Sequence, residues 1–324
     1  MARVEVVAAV IQRGDGAFLL AQRPAGKPYA GYWEFPGGKI ETGESLPNGL
    51  KRELHEELGI EVTRAYPWIT RDYDYEHARV RLRFFRVTRW SGELHGRESQ
   101  AFAWQWIDAM TVSPMLPANG PVLRSLALPT FYAVSNAAEI GEAEFLRRLD
   151  RALDEGVRLV QLREKGTSRD RLMDLASRVV KRAHARGARV LINADPEVIA
   201  RAEADGVHLS AERLMRLNDR PAAALVGASC HDARELAHAV ALGVDFVVVG
   251  PVMSTPTHAG AQALGWQRFG ELVSGCPLPV YAIGGLKREA LSDAWSAGAH
   301  GIAAIRAAWP PFGSLRPVDE QRET

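Results

Sequence analysis

The stretch Gly38–Ile60, GKIETGESLPNGLKRELHEELGI, decides the fold of the first part of the chain. It predicts a glycine loop leading into a helix that carries Glu53, Glu56 and Glu57 within about one turn. Carboxylates at positions i, i+3 and i+4 share a helix face, and each like-charge pair costs roughly 0.2–0.5 kcal/mol in an isolated helix. Hard oxygen donors of this kind bind Mg²⁺ or Mn²⁺, which in turn neutralises a diphosphate. The crowded carboxylates therefore predict a metal site, with Arg52 orienting them through a bidentate hydrogen-bonded pair.

The composition is that of a globular protein long enough for two domains. The chain has 324 residues, of which 47% are hydrophobic and 24% charged. Its 40 Lys and Arg against 39 Asp and Glu leave a formal charge of +1, which argues against direct nucleic-acid binding and against an anionic membrane. Cys230 and Cys276 give no disulfide framework and no cysteine zinc site. The first apolar run is too short for a signal peptide or a membrane span, so we expect a cytoplasmic enzyme with a small substrate.

Two regions of the first part alternate as β-strands do. Residues 3–12 and 17–22 read as strands around a turn, and 78–90 alternates apolar and charged residues like a half-buried strand. The basic residues at 79, 81 and 83 share one face of that strand. They indicate either a solvated face or a contact with a substrate phosphate.

The pattern changes near residue 128, where a last helix runs through a very short linker into a new strand. We place the boundary at about 126–130, with domains at 1–128 and 129–310 and a polar tail at 311–324. A linker this short implies domains that touch. Eight apolar strands then alternate with helical stretches, at 130–135, 159–164, 190–194, 206–210, 224–229, 246–251, 278–285 and 301–307. This repeat predicts a compact parallel (β/α)8 TIM barrel, with an open doubly wound sheet as the alternative.

The fixed positions of the opening stretch resemble the Nudix box, with every one filled: Gly38, Glu44, Arg52-Glu53-Leu54, Glu56-Glu57 and Gly59-Ile60. The resemblance covers residues 3–126 and is strongest to MutT-type 8-oxo-dGTP diphosphatases, through EFPGGKIETGE (34–44) and PANGPV (117–122). It implies a Nudix α/β/α sandwich that cleaves a nucleoside triphosphate to monophosphate and pyrophosphate. It also implies a metal site of Gly38, Glu53, Glu56, Glu57 and Glu98, the last from a later loop.

Asn119 is the residue in the PANGPV segment that would set base specificity. In 8-oxoguanine N7 carries a hydrogen and O6 accepts, whereas guanine presents acceptors at both places. A side-chain amide offers one acceptor and one donor group, so it matches the oxidised base and mispairs with the normal one. A buried polar group left unpaired costs roughly 1–3 kcal/mol, so the contact can discriminate between bases. The alternative is that Asn119 only forms a turn or helix cap. Phe35 is a candidate apolar wall and Arg23 a candidate base or phosphate contact.

The barrel region resembles the thiamine phosphate synthase and TenI family over about residues 130–308. The matching pieces are VQLREK (160–165), LIN (191–193), DGVHLS (205–210), GASCHDARE (227–235), GPVMSTPT (250–257), AIGG (282–285) and AGAHGIAAI (297–305). Gly284 and Gly285 follow the predicted seventh strand, where backbone amides of barrel loops often bind phosphate. Arg163 and Lys165 would add positive charge at the mouth. A thiazole or thiamine phosphate is the implied ligand.

The chain departs from the synthase pattern at the residues that hold magnesium. Ala194 and Arg213 stand where the family has aspartates, and His258 replaces a lysine. Asp195 and Glu212 are each one place away, and a slip of one place along an extended chain usually reverses a side chain's direction. These departures disfavour synthase activity and favour a TenI-like isomerase.

Two histidines of the barrel carry different expectations. His231 matches the acid/base histidine of such a tautomerase, and an ordinary imidazole suits proton transfer near neutral pH. Alternatively, His231 caps the following helix or packs at the loop. His208, on the fourth strand, is expected to be structural.

Three functions remain open from the sequence. The first is Mg²⁺-dependent hydrolysis of 8-oxo-dGTP, with Mn²⁺ as the alternative metal. The second is another Nudix substrate, such as a thiamine-pathway diphosphate. In the third, the barrel is a non-catalytic module that senses a thiazole or thiamine phosphate.

Overall fold

The computed structural model describes residues 3–76, 78–96, 100–193, 196–254 and 262–311. In these residues the chain forms two small sheets with flanking helices, followed by a closed barrel. The mixed α/β class expected for both parts is confirmed. No helix in the described ranges is long and apolar enough to cross a membrane.

The N-terminal part is built from seven strands and two α-helices within the described residues. The elements are β1 (Val4–Ile11), β2 (Phe18–Gln22), β3 (Trp33–Glu34), β4 (Gly37–Lys39), α1 (Leu46–Leu58), β5 (Glu61–Asp74), β6 (Arg79–Ser91), β7 (Phe102–Gln105) and α2 (Gly120–Leu126). One sheet has the order β4-β1-β6-β5 and the other the order β3-β2-β7, and β1 pairs with β6 in parallel.

Helix α1 is the predicted acidic helix, and its ends follow from the local sequence. Ser45 has extended backbone at the N-terminal boundary, a proline occupies the first turn, and Gly59 ends the helix in the left-handed conformation at φ 72°. Leu50, Leu54 and Leu58 recur every fourth residue and are buried in one core cluster with strands of the four-stranded sheet. Burial of this stripe leaves the glutamate face of α1 directed away from the core.

The predicted basic face of β6 consists of ion-paired arginines. Arg81 donates to both carboxylate oxygens of Asp72, at 2.8 and 3.0 Å, and Arg83 donates to Glu5 at 3.0 Å. Arg79 lies 3.5 Å from Asp74. The pairs support the solvated-face interpretation over the phosphate contact.

The C-terminal part is a closed parallel barrel, so the open-sheet alternative is wrong. Each of the eight predicted strands is present: β8 (Phe131–Val134), β9 (Leu159–Leu162), β10 (Arg189–Ile192), β11 (Gly206–Leu209), β12 (Leu225–Cys230), β13 (Phe246–Val249), β14 (Val280–Ile283) and β15 (Gly301–Ala304). They follow one another around the barrel in chain order, and β15 pairs with β8 to close it. The helices are α3 (Ala137–Ile140), α4 (Glu142–Asp154), α5 (Arg169–His184), α6 (Pro196–Arg201), α7 (Ala211–Leu214), α8 (Ala233–Leu242), α9 (Gly265–Val273) and α10 (Leu291–Ser296).

The interior of the barrel is filled by large aromatic side chains. Tyr132, Phe246 and Tyr281 are fully buried in one cluster, with ring centroids 5.3 to 5.5 Å apart. Apolar residues on the outer side of the strands pack against the helices in a separate, larger cluster. The barrel therefore has a packed core rather than a channel.

The two parts are in contact, as the short connection between Leu126 and Phe131 implies. The backbone N–H of Thr70 donates to the carbonyl of Cys276 at 3.0 Å, and Arg71 donates to the carbonyl of Pro277 at 3.3 Å. These barrel residues precede β14, so the N-terminal part packs against the end of the barrel where the strands begin.

Arg86 is the most deeply buried charge of this contact. Its guanidinium lies 5.0 Å from the ring centroids of both Trp68 and Trp295, and Nη2 lies 3.5 Å from His300 Nδ1. The Nε of His300 donates to the Leu128 carbonyl at 2.9 Å, which leaves Nδ1 to accept from Arg86. None of the carboxylates in the described part of the chain pairs with Arg86, and burial lowers its pKa to about 10.

Candidate active sites

The carboxylates of α1 converge on the glycine loop at β4. Glu57 Oε2 accepts a hydrogen bond from the Gly37 backbone N–H at 3.1 Å. A Cβ added at Gly38 would lie 2.2 Å from Glu53 Oε2, and one at Gly37 would lie 2.1 Å from the Val7 carbonyl. At Gly37 the clash is with backbone and the φ of 145° also favours glycine, whereas a side chain at Gly38 would have to displace the Glu53 carboxylate. The predicted loop brings backbone and carboxylates together.

Arg52 organises the acidic face, as predicted. It forms a bidentate pair with Glu44 at 3.0 and 2.9 Å and also donates to Glu53 at 2.9 Å and Glu56 at 3.2 Å. The bonds to Arg52 lower the pKa of the Glu44 carboxyl. Burial raises the pKa of Glu53 in spite of the opposing effect of Arg52. A largely buried carboxylate whose pKa is raised gains from a nearby cation.

The donor set at this loop fits a hard divalent cation. The Glu53 carboxylate lies against Gly38, and Glu57 accepts from the neighbouring N–H of Gly37, so two carboxylates lie together at the glycine loop. Within the described ranges no three acidic, His or Cys side chains are grouped closely enough to hold a metal by themselves. Glu98, the predicted ligand from a later loop, lies outside those ranges.

Asn119 is buried and has an unpaired donor. It ends a short 3-10 helix at Pro117–Asn119 directly before α2, and its exposed fraction is 4%. Its side chain makes no capping bond to α2, and its Nδ2 has no hydrogen-bond partner among the described residues. The segment is thus a turn that starts a helix, as the alternative interpretation held, and Asn119 occupies the N-cap position of α2 without its side chain acting as the cap. Buried amide groups are normally paired, so this one indicates a missing partner.

Arg23 and Phe35 are both engaged within the protein. Arg23 Nη1 lies 2.7 Å from each carboxylate oxygen of Glu34, and Nε donates to the Pro28 carbonyl at 2.8 Å. Phe35 is buried against Phe18 and Phe84, with centroids 6.0 and 5.8 Å away. A ligand at this site would meet Arg23 already paired, whereas Phe35 belongs to the core.

Sequence reasoning missed Glu34 beside Phe35. Burial raises the pKa of the Glu34 carboxyl, although Arg23 opposes the shift. Its signal was a single acid inside the apolar run Trp33-Glu34-Phe35, because an acidic residue among aromatic neighbours usually has a partner.

A cavity of about 1360 Å³ opens at the end of the barrel where the strands finish. Every substrate-binding and catalytic residue predicted for the barrel lines it, together with residues that sequence reasoning missed. The predicted ones are Arg163, Lys165, His231, Gly284 and Gly285, and the others include Gln161, Asn193 and Ser229. Gln161 and Ser229 are the next-to-last residues of their strands, and Asn193 directly follows its strand. Polar residues at the ends of barrel strands are the sequence signal that could have identified them.

The glycine pair and the arginine give this cavity an anion-binding character. Gly284 has φ 113°, and a Cβ there would lie 2.7 Å from Pro251 Cα, so the backbone turns tightly beside the cavity. Burial lowers the pKa of Arg163, whose backbone N–H donates to Ser135 Oγ at 2.9 Å. A partly buried arginine that lines the same cavity as a tight glycine turn favours a phosphate or carboxylate group.

His208 belongs to a buried hydrogen-bond network under the cavity. Its Nδ1 lies 3.2 Å from the hydroxyl of Tyr132, which accepts from Gln161 Nε2 at 3.1 Å, and its Nε2 lies 2.9 Å from Ser229 Oγ. Burial lowers the pKa of His208 to about 3, so the ring is neutral at physiological pH. His208 also lines the cavity, so the structural role expected for it stays a prediction.

His231 lies at the cavity with its side chain half exposed. The following helix, α8, is capped by Asp232, whose Oδ1 accepts from the Glu235 N–H at 2.8 Å. His231 is therefore not the cap.

Two of the residues at which the chain departs from the synthase pattern, or that stand next to such a position, lie in α7. Arg213 lies in α7, and its backbone N–H donates to Ser210 Oγ at 3.3 Å. Glu212 pairs with Arg216 at 2.5 Å. Ala194, Asp195 and His258 fall outside the described residues.

The fold and the acidic loop define a Nudix domain joined to a closed, eight-stranded parallel barrel. Comparison with protein families agrees: a NUDIX domain model matches residues 2–126, and a thiamine monophosphate synthase (TMP-TENI) model matches residues 131–308. The chain belongs to the thiamine monophosphate synthase family through its C-terminal domain, which is fused to an N-terminal, MutT-like Nudix hydrolase domain of the type that acts on phosphoric anhydrides.

Relatives of each domain are known separately. A Geobacter sulfurreducens protein, provisionally named a thiamine-phosphate synthase, is 36% identical over 182 residues, which is 55% of this chain and 85% of that protein. The Escherichia coli CTP pyrophosphohydrolase is 42% identical over 125 residues, 39% of this chain and 92% of that enzyme. The Haemophilus influenzae 8-oxo-dGTP diphosphatase is 35% identical over 123 residues, 38% of this chain and 90% of that enzyme.

Proposed function

We propose that the N-terminal domain converts 8-oxo-dGTP to 8-oxo-dGMP and pyrophosphate in the presence of Mg²⁺, and so removes an oxidised nucleotide from the pool used for DNA replication. The observation that carries this proposal is the unpaired Nδ2 of the buried Asn119. O6 of 8-oxoguanine would accept from that Nδ2, and the hydrogen on N7 would meet the amide oxygen. The MutT-like relatives of this domain support the same substrate.

The box residues would act on the phosphates. Gly38, Glu53, Glu56, Glu57 and Glu98 would hold Mg²⁺ or Mn²⁺, which supplies charge neutralisation of the diphosphate and a more acidic water. Glu53 and Glu57 already lie at the glycine loop, and Arg52 donates to both Glu53 and Glu56, which offsets the repulsion between these carboxylates. One of these carboxylates would accept the proton of the attacking water, and pyrophosphate would leave.

Hydrolysis of CTP is the second candidate, because the CTP pyrophosphohydrolase is more similar to this domain than the 8-oxo-dGTP diphosphatase is, at 42% against 35% identity. Cytosine presents the N4 amino donor next to the N3 acceptor, so the Asn119 amide can also satisfy that edge. A thiamine-pathway diphosphate remains the third candidate, because of the fusion to the barrel.

A substrate panel with the full chain separates these candidates. Pyrophosphate or phosphate release is measured for 8-oxo-dGTP, dGTP, CTP, dCTP and thiamine diphosphate, with Mg²⁺, with Mn²⁺ and with EDTA. We expect the highest kcat/KM for 8-oxo-dGTP with a divalent metal. A higher value for CTP or thiamine diphosphate would refute this assignment.

For the barrel, we propose binding of a phosphorylated thiazole, with proton transfer by His231 as its chemistry. Arg163, Lys165 and the Gly284–Gly285 turn line the same cavity and would bind the phosphate and carboxylate groups. We expect no condensation with an aminopyrimidine diphosphate, because Ala194 and Arg213 supply no carboxylate for magnesium.

The test is calorimetry and NMR of the full chain with thiazole carboxylate phosphate, with and without EDTA. Metal-independent binding and isomerisation that fails in His231→Ala are expected. Magnesium-dependent formation of thiamine phosphate would refute the assignment. Binding without isomerisation would instead support the non-catalytic module.

A further inference from the structure

Glu235 makes two contacts with His231 across the first turn of α8. Its Oε2 accepts from the backbone N–H of His231 at 2.7 Å and lies 3.0 Å from the ring Nδ1. The Glu235 side chain is 15% exposed, against 50% for His231. The carboxylate is therefore the fixed member of the pair and the imidazole the accessible one.

These contacts decide which ring nitrogen carries the hydrogen. An ionised carboxylate only accepts hydrogen bonds, so Nδ1 must be the protonated nitrogen beside Glu235. In the neutral imidazole the other nitrogen, Nε2, then has a free lone pair. Because the N-cap of α8 is Asp232 rather than Glu235, the helix has its own cap without this contact.

We propose that Glu235 is the positioning residue of the barrel site, and that it presents His231 Nε2 to the ligand as the proton acceptor. The inference rests on the proposed isomerase function of the barrel. In the reaction, a ligand C–H bond breaks as the Nε2–H bond forms, the double bond shifts, and the imidazolium returns the proton to a second ligand atom. No oxidant, reductant or co-reactant is needed. The Glu235 carboxylate, 3.0 Å from Nδ1, stabilises the positive charge of the intermediate imidazolium.

The first test is spectroscopic and needs no substrate. Long-range ¹H–¹⁵N correlation of ¹⁵N-histidine-labelled full chain at alkaline pH reports the tautomer of His231, which is assigned among the nine histidines with His231→Ala. We expect the Nδ1–H tautomer in the parent chain and a mixture in Glu235→Ala. A dominant Nε2–H tautomer in the parent chain would overturn the proposal.

The second test is kinetic and uses two substitutions with a matched control. Glu235→Gln keeps an oxygen acceptor but removes the charge, whereas Glu235→Ala removes both. Because the imidazole is half exposed and the pair is screened, we expect kcat for isomerisation to fall about 10-fold in Glu235→Gln and further in Glu235→Ala, with KM nearly unchanged. Glu271→Gln on α9, whose carboxylate accepts from Gln267 at 3.1 Å and which is not among the residues lining the cavity, should keep the parent kcat.

The outcomes separate this inference from the function on which it rests. If the full chain isomerises no phosphorylated thiazole, the proposed function is refuted, and the role of Glu235 with it. If isomerisation requires His231 but proceeds equally in both Glu235 variants, only the positioning role is refuted. A parallel loss of activity and of the α8 helical signal would show that Glu235 only maintains the helix, and would also refute it.

Discussion

Replacing Asn119 with leucine should stabilise the free protein and damage its base discrimination. Asn119 is 4% exposed and its Nδ2 has no partner among the described residues. A buried, unpaired donor costs about 1–3 kcal/mol, and leucine has a similar volume without a polar atom. We therefore expect the free energy of unfolding to rise by roughly 1 kcal/mol or more. The orphaned amide is a cost that the free protein carries.

Ligand binding would recover the same free energy, which sets the size of the second effect. If O6, which both bases present, accepts from Nδ2, and the amide oxygen accepts the hydrogen that only 8-oxoguanine carries on N7, loss of the amide should lower the ratio of kcat/KM for 8-oxo-dGTP over dGTP by about 5- to 150-fold, the equivalent of about 1–3 kcal/mol. The assays are urea denaturation of the metal-free full chain and steady-state kinetics with both nucleotides. Asn119→Ala should show the same loss of discrimination without the stabilisation, because it leaves a cavity.

Ser125→Ala is the matched control, since Ser125 is also buried on α2 and its hydroxyl is satisfied by the Pro121 carbonyl at 2.9 Å. It should lower stability by about 1 kcal/mol and leave the nucleotide ratio unchanged. If Asn119→Leu destabilises the chain and keeps the ratio, Asn119 is a structural residue and the base is read elsewhere.

Three further predictions concern the box, the domain contact and the pH response. Glu53→Gln or Glu57→Gln should abolish metal-dependent pyrophosphate release with an unchanged circular dichroism spectrum; normal turnover in both would refute the metal site. Burial lowers the pKa of Arg86 to about 10, which corresponds to a cost of burying its charge on the order of 3 kcal/mol. The two cation–π contacts with Trp68 and Trp295, at about 2 kcal/mol each, can offset that cost. Arg86→Met should then be nearly neutral in urea denaturation while Arg86→Ala loses about 2–4 kcal/mol to a cavity; equal losses would contradict this. Because the pKa of Glu53 is raised in the folded state, the stability that Glu53 contributes is present at acid pH and is lost as the pH rises through that pKa. Glu53→Gln should therefore stabilise the metal-free chain more at a pH above the folded pKa than in acid. A stability gain that does not change with pH would contradict this prediction.

The sequence predicted elements wherever a short-range pattern carried them. The acidic helix was visible because its leucines repeat every fourth residue and Gly59 follows the last of them. The barrel was visible because buried parallel strands are continuous apolar runs, which alternate here with helices. Strand β5 was not predicted, since its alternation is broken by irregular pairing with β6 and by Pro67.

The parts of the sites that escaped prediction depend on contacts distant in sequence or on hydrogen positions. The burial of Arg86 requires Trp295, more than 200 residues away, and nothing near Arg86 in the sequence indicates it. The pairing of Arg23 with Glu34 needs the register between β2 and β3. Glu235 was recoverable, because a carboxylate four residues after a histidine on a helical stretch faces the same side.

The positions of the domain contacts and of the cavity bear on whether the two candidate sites can exchange a molecule directly. The domain contacts at Cys276, Pro277, Trp295, His300 and Leu128 involve residues that precede strands of the barrel. The cavity is lined mainly by residues at or after the strand ends, with Ala152 and Glu155 at the end of α4 as exceptions, and in a parallel barrel the starts and the ends of the strands lie on opposite rims. The layer of Tyr132, Phe246 and Tyr281 closes the space between them. A product of the Nudix site therefore cannot pass through the barrel to the cavity, and any molecule used by both sites must travel through solvent. The tight contact around Arg86 is better understood as a joint between two cores than as a route between two reactions.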